Sequence, residues 1–310
     1  MDGVLVVDKP SGPTSFEVVD RVRRALGEKK AGHTGTLDPM ATGVLAVCLG
    51  EAVKLQQFLT EGDKAYQATV AFGAATDTED AEGRVTERGD PSGLSAGALV
   101  AALAGFVGES SQLPPMYSAV RVGGRRLHEA ARAGDRVVRE PRRVRIHSLE
   151  LTSLEPARDG LALARIAVRC GKGTYVRTLA ADLGRAVGVP AHLAALRRTA
   201  AAAFTLEGAL PLAEALELGR RDPAALAARL VAPAAALPHL PLVALGPEEV
   251  AEIAHGRSLP RRAPGPLCRA VDGEGRLVAI CAPTPAGDRL RPLRVMVQPR
   301  EKTGAEVGKR

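Results

Sequence analysis

One aspartate, Asp38, stands in the string Gly32-His33-Thr34-Gly35-Thr36-Leu37-Asp38-Pro39-Met40-Ala41-Thr42-Gly43, where glycines and a proline dictate the backbone just ahead of an apolar run. No second carboxylate lies beside it in sequence, so the paired acids of a glycosidase are not on offer. A lone carboxylate on a shaped loop fits covalent or electrostatic work instead. The plain alternative is an Asp-Pro turn between a helix and a strand. A second string, Gly171-Lys172-Gly173-Thr174-Tyr175-Val176-Arg177, invites a phosphate-loop reading and fails it on spacing. The first glycine of that pattern would have to stand at Ile166, and Gly173 occupies the hydroxyl position. That excludes a nucleoside-triphosphate kinase and leaves a turn that aims Tyr175 and Arg177. A guanidinium near a carboxylate that must stay ionised in a drying cleft lowers its pKa, which gives Arg177 a task. Otherwise it is a surface arginine at a helix start.

The elements around these strings are legible from periodicity. Val4–Val7 reads as a buried strand that turns at Asp8-Lys9-Pro10. Thr14 with Glu17 forms a capping box, Val18, Val19, Val22 and Leu26 recur at helical spacing, and Gly27 stands where a C-terminal cap belongs. Val44–Leu49 is expected as a strand and Glu51–Leu59 as a short helix. Tyr66, Ala68, Val70 and Phe72 alternate with Gln67, Thr69 and Ala71, the period of a strand with one packed face. A helix is expected over Ser95–Phe106, a strand over Leu161–Cys170 and a helix over Thr178–Val187. Alanine-rich helical stretches, punctuated by Pro190, Pro211, Pro223 and Pro233, are expected from there to Leu237. Leu237–Pro241 reads as a linker. A helix over Pro247–His255 and strands at Leu267–Val271, Leu277–Cys281 and Leu293–Val297 then make a compact tail, and Glu301–Arg310 is expected to be disordered.

A chain of 310 residues is long enough for a large domain and a small one. Lys and Arg number 42 against 35 Asp and Glu, a net charge of +7 that points to a polyanionic partner, nucleic acid ahead of a membrane surface. Residues 113–145 concentrate this charge in Arg121, Arg125, Arg126, Arg132, Arg136, Arg139, Arg142, Arg143 and Arg145. A solvated charged face is the plain reading; in a basic protein a phosphate-contacting arm is preferred. Cys48, Cys170, Cys268 and Cys281 are scattered, with no Cys-x-x-Cys and no His-x-x-x-His, so neither a zinc site nor a disulfide framework is indicated and the thiols are expected to be buried. With no apolar run of membrane-spanning length and no secretion signal, a cytoplasmic protein is expected.

Several blocks, in order, resemble the bacterial tRNA pseudouridine synthase B family: Gly3 to Ser15, Ala31 to Gly50, Lys64-Ala65-Tyr66, Thr76 to Gly83, Pro115-Met116-Tyr117-Ser118-Ala119 and Cys170 to Thr178. The family isomerises a uridine in the T loop of transfer RNA, so the resemblance implies a cofactor-independent enzyme acting on a tRNA T-arm stem-loop. It implies that Asp38 is the catalytic aspartate and that Tyr66 stacks on the target base and is a candidate for the C5 proton step. A phenol of pKa about 10 is a poor base unless tuned. The resemblance further places Tyr175 and Leu196 around the uracil, His33 and Asp80 against displaced nucleotides, and Lys9 and Pro10 in structural support of the loop. It makes 113–145 an RNA-gripping arm. Glu51-Ala52-Val53-Lys54 departs from the family's Glu-Ala-Thr-Lys, with packing consequences only.

The expected fold is α+β: a pseudouridine-synthase domain over 1–238, with a mixed, largely antiparallel sheet flanked by helices, and a small β-rich PUA-like RNA-binding domain over 239–299. A monomer needing no protein partner and no metal is expected. Two rivals stand beside the enzyme: a noncatalytic tRNA-folding chaperone, and a guide-RNA-dependent pseudouridine synthase.

Overall fold

The computed structural model describes residues 1–118 and 137–298, together with the backbone of Arg121–Val122 and Arg125–Arg126. The β-rich strings identified above become one sheet. Among the described residues, ten strands join, with a continuous path that runs Leu210–Pro211, Gly3–Lys9, Thr42–Leu49, Ala191–Ala201, Lys64–Phe72, Leu161–Cys170, Arg142–Arg158, Gly108–Gln112. Pairing is mostly antiparallel; Gly3–Lys9 with Leu210–Pro211 and Thr42–Leu49 with Ala191–Ala201 are the parallel contacts along this path. The fold is therefore the mixed, largely antiparallel α+β sheet expected from the sequence.

Helix Ser15–Ala25 forms because Thr14 and Glu17 close a capping box and Val18, Val19 and Val22 turn one apolar stripe onto the sheet. Helix Val176–Val187 buries Val176, Leu179, Ala180 and Leu183 on the same core, and Gly188 ends it at φ +72°. The expected Ser95–Phe106 helix is present as Ala96–Ala104, capped by the Ser95 side chain.

Two expectations change. The alanine-rich helix expected after Pro190 is instead the strand Ala191–Ala201, in the middle of the sheet; helices resume at Leu212–Arg221 and Pro223–Ala227. Bulges between Leu193 and Ala195 and between Arg198 and Ala200 break its alternation, which hides the period of two from the sequence. Leu237 and Leu240, read as linker, are buried in an apolar cluster that also holds Val4, Val44, Leu55, Phe204, Val271, Leu277 and Ile280. Arg269 reinforces the junction by donating to Leu240 O at 3.1 Å and Ala234 O at 2.5 Å.

Beyond that junction lies a sheet ordered Leu242–Ala244, Cys268–Val271, Leu277–Pro283, Leu290–Val295, with helix Pro247–Ala254 packed on it. Its own core includes Val243, Ile253, Val278 and Leu290. All four cysteines are buried and free. No helix among the described residues is long and apolar enough to cross a membrane. Of the 113–145 segment, Arg121–Val122 and Arg125–Arg126 pair as a two-stranded ribbon, Arg139 donates to Pro114 O at 2.8 Å, and Arg142, Arg143 and Arg145 already belong to a sheet strand. Arg132, Arg136 and the 300–310 tail lie outside the described residues.

Candidate active site

The sheet has a narrow seam. Strands Thr42–Leu49 and Ala191–Ala201 share only the register pairs Arg197↔Thr42 and Arg198↔Gly43. The Asp38 loop leads into this seam at Thr42, and the Ser15 and Lys9 side chains fix its path. Leu37 is buried and anchored twice by Ser15, whose hydroxyl donates to Leu37 O at 3.0 Å and accepts from Leu37 N at 2.8 Å. Lys9, with no exposed surface, donates from Nζ to Pro10 O at 2.9 Å, Pro39 O at 3.1 Å and Ala41 O at 2.7 Å. Pro10 itself is exposed beside it. Burial pulls the Lys9 pKa down to about 8, against the opposing attraction of Asp38. Asp38 N-terminal to Pro39 makes a turn closed by Ala41 N to Asp38 O at 3.1 Å, so the loop that presents the carboxylate contains the Asp-Pro turn.

The Asp38 carboxylate meets Arg177. Arg177 Nε lies 2.9 Å from Asp38 Oδ2 and Nη2 donates to Oδ1 at 3.3 Å. The arginine side chain is 5% exposed and the aspartate 33%, so the acid is half-buried and its partner is sealed in the interior. Arg177 also donates to Thr78 O at 3.1 Å and Tyr117 O at 2.8 Å, and its Nε is 3.7 Å from Asp80 Oδ2. One guanidinium thus serves two carboxylates. Burial pushes the Asp38 carboxyl above the usual aspartate range; Arg177 lowers it, as expected from the sequence, and offsets only part of that rise.

Asp80 is buried in a tight loop. Its Oδ1 accepts from Thr78 Oγ1 at 2.5 Å and from Glu82 N at 3.1 Å, and its backbone oxygen accepts from Thr76 Oγ1 at 2.7 Å. Glu79 takes φ +64° to make the turn, and Thr178 Oγ1 donates to its carboxylate at 2.7 Å.

Tyr66 stands on the central strand with Val168 and Arg198 as its cross-strand neighbours. It is half-buried; burial raises the phenol above its ordinary pKa and Arg198 opposes the rise. His33 ends the short strand Ala31–His33, with Nδ1 accepting from Gly35 N at 3.3 Å; burial, then the Arg198 charge, holds its pKa below the ordinary imidazole value. Leu196 is buried on strand Ala191–Ala201, where its oxygen accepts from Thr42 Oγ1 at 3.4 Å. Tyr175 precedes helix Val176–Val187, and the Gln112 side chain brackets its peptide: Oε1 accepts from Tyr175 N at 2.8 Å and Nε2 donates to Tyr175 O at 3.0 Å. Lys172 is paired with Glu61.

Asp38, Arg177 and Asp80 are therefore in direct contact, with Lys9 under the same loop and Tyr66 and His33 both facing Arg198. Two residues escaped the sequence reading. Gln112 carries no motif signal. Arg198 lay inside the stretch read as helical, although Leu196-Arg197-Arg198 places two cations next to a residue already assigned to the pocket.

The profile of the TruB family pseudouridylate synthase N-terminal domain matches residues 23–176. That of the tRNA pseudouridylate synthase B C-terminal domain matches 177–234, and that of the tRNA pseudouridine synthase II C terminus matches 240–297. The tRNA pseudouridine synthase B of Symbiobacterium thermophilum is 51% identical over 256 residues, 83% of this chain and 82% of that protein. The chain belongs to the TruB pseudouridylate synthase family. Another TruB relative, from Geobacter sulfurreducens, is 44% identical over 297 residues, 95% of this chain and 90% of that one. Among solved structures, Cbf5 in a Cbf5–Nop10–Gar1 complex superposes with a TM-score of 0.73 at 27% identity, covering 96% of this chain and 85% of the other.

Proposed function

We propose that the protein isomerises the T-loop uridine of transfer RNA to pseudouridine, with Asp38 as the essential carboxylate. The observation that carries this is the Asp38–Arg177 pair: a half-buried acid gripped through both oxygens by a buried guanidinium, on the loop that leads into the sheet seam. The reaction breaks the C1′–N1 bond, turns the base while it stays bound, and joins C1′ to C5, so nothing is oxidised or reduced. Asp38 attacks or stabilises the sugar-base centre, Tyr66 stacks on the uracil, and Tyr175 and Leu196 bound its pocket. A uridine stacked in a folded loop must leave the stack before a carboxylate reaches it, so base flipping is part of the reading, with His33 and Asp80 against the displaced nucleotides. The 113–145 arm and the PUA-like C-terminal module supply backbone contacts, consistent with the net charge of +7.

The test is tritium release from C5-labelled uridine in a T-arm stem-loop, comparing the protein with Asp38→Asn at matched RNA occupancy. Release by the former and none by a variant that still binds supports catalysis through Asp38. Absence of release by both, with tight binding, would move the assignment to an RNA chaperone. A chain of an H/ACA ribonucleoprotein bound to a substrate RNA is among the fold neighbours. A guide-dependent reading of the present chain therefore predicts release only after guide RNA is added; the stand-alone reading predicts it without.

A further inference from the structure

Arg198 is the cation at the site that the chemistry above leaves unused. Its side chain is 2% exposed, and its hydrogen bonds run to backbone carbonyls: Nε to Val44 O at 2.7 Å, Nη2 to Gly35 O at 3.0 Å, Nη1 to Thr36 O at 3.5 Å. Burying a guanidinium against carbonyls, with no carboxylate paired to it among the described residues, is costly, so its place calls for a local use. The carbonyls pin it to both ends of the Asp38 loop. Tyr66 lies directly opposite it in the strand register, and the Arg198 charge opposes the rise that burial imposes on the phenol.

We propose that Arg198 is a positioning residue for Tyr66: anchored by loop carbonyls, it sets the phenol oxygen in a fixed relation to Asp38 and stabilises the phenolate that takes the C5 proton. This rests on the pseudouridine-forming reading of the site. Once C1′ is joined to C5, that carbon still carries its hydrogen. The proton passes to the phenolate oxygen, the C–H electron pair becomes the C5=C6 double bond, and N1 gains the electron pair it had shared with C6. The phenol returns its proton to N1 through solvent, so the cycle consumes no proton and the product is an isomer.

The titratable groups that act on the Tyr66 phenol include Arg198 from strand Ala191–Ala201, Cys170 from strand Leu161–Cys170 and Asp38 from its loop. Burial pushes the Cys170 thiol up to about 11, so it stays neutral at working pH. Asp38 disfavours a phenolate. Arg198 is the group among these that favours one. Lys64, another cation near Arg198, donates from Nζ to Thr60 O at 2.5 Å and Gly62 O at 2.6 Å.

With three tyrosines and no tryptophan in the chain, tyrosinate absorbance reads the phenols directly. Subtracting the Tyr66→Phe titration from that of the parent isolates Tyr66, over the pH range in which circular dichroism is unchanged. Arg198→Met is expected to move the Tyr66 midpoint up by about one to two pH units, the effect of losing a nearby opposite charge, and Arg198→Lys to recover part of the shift. C5 tritium release should slow about tenfold or more with RNA affinity held, and Arg198→Met should add nothing on a Tyr66→Phe background. A midpoint that does not move, or a rate loss that is the same with and without Tyr66, overturns the proposal. Should Arg198→Met fail to fold, an unmoved midpoint in Arg198→Lys does so. If the parent protein releases no tritium, the functional reading fails separately, and the titration still decides the role of Arg198.

Discussion

Arg177 takes both oxygens of Asp38, with Nε 2.9 Å from Oδ2 and Nη2 3.3 Å from Oδ1, and spends its remaining donors on Thr78 O and Tyr117 O. The planar fork makes all four contacts at once, which a lysine ammonium on a flexible stem cannot. Arg177→Lys is therefore expected to lower kcat about a hundredfold, the scale seen when a preorganised electrostatic partner is lost, with a smaller change in KM. Steady-state kinetics on a T-arm stem-loop checks it; a kcat within about threefold of the parent would show that charge alone suffices.

The raised Asp38 pKa fixes the sign of two pH effects. Activity needs the ionised form, so the acid limb of kcat/KM lies above the pH of an ordinary aspartate, and weakening the Arg177 contact moves it higher. For stability, the native state holds a proton that the unfolded chain has released between the free value of 3.8 and the raised native one, so stability falls as pH rises through that window. Asp38→Asn removes that dependence. Urea unfolding is expected to show the variant gaining on the parent as pH goes from acid to neutral; a gap that narrows instead would contradict the dominance of burial.

Lys9 donates from one ammonium to Pro10, Pro39 and Ala41. Lys9→Met keeps the volume and strips three carbonyls of their donor, an expected loss of about 2 kcal/mol in urea unfolding, with a fall in kcat as the Asp38 loop loosens. The pH dependence separates this from generic damage. Between the native value of about 8 and the free value of 10.5, the unfolded chain binds a proton that the native chain does not, so parent stability rises with pH there, while below about 8 the burial cost is fully present. The Met variant should lack that rise.

Much of this site is written locally. The capping box at Thr14 and Glu17, the Tyr66 alternation and the glycine turn before Tyr175 each declare their conformation within a few residues, and each is found as expected. What escaped depends on distant pairing. Ala191–Ala201 is alanine-rich with two bulges, so neither propensity nor period marks it as a strand; its place comes from ladders with Lys64–Phe72 and Thr42–Leu49. Arg198 was hidden with it. The Asp38 carboxyl went the same way in miniature: the identity of its partner was foreseen, while the depth of burial that outweighs the partner is a property of the folded loop.

Gly43 joins that hidden strand to the Asp38 loop, and its substitution distinguishes close approach from backbone freedom. It takes φ +101°, and a Cβ there would lie 2.1 Å from Arg198 O and 2.8 Å from Arg198 N. Gly12 takes a similar φ of +108° with nothing within 4 Å of the same added atom. Alanine at Gly12 meets only the left-handed strain, about 1 kcal/mol. At Gly43 it must also force apart the seam whose register pairs are Arg197↔Thr42 and Arg198↔Gly43, and with it the Arg198 contacts to Val44 O and Gly35 O. Gly43→Ala is therefore expected to lose about 3 kcal/mol or more in urea unfolding and most of its turnover, and Gly12→Ala about a third of that stability with turnover largely kept. Equal losses in the two variants would mean that glycine serves this loop through its conformational freedom alone, and that the seam tolerates a methyl group between its strands.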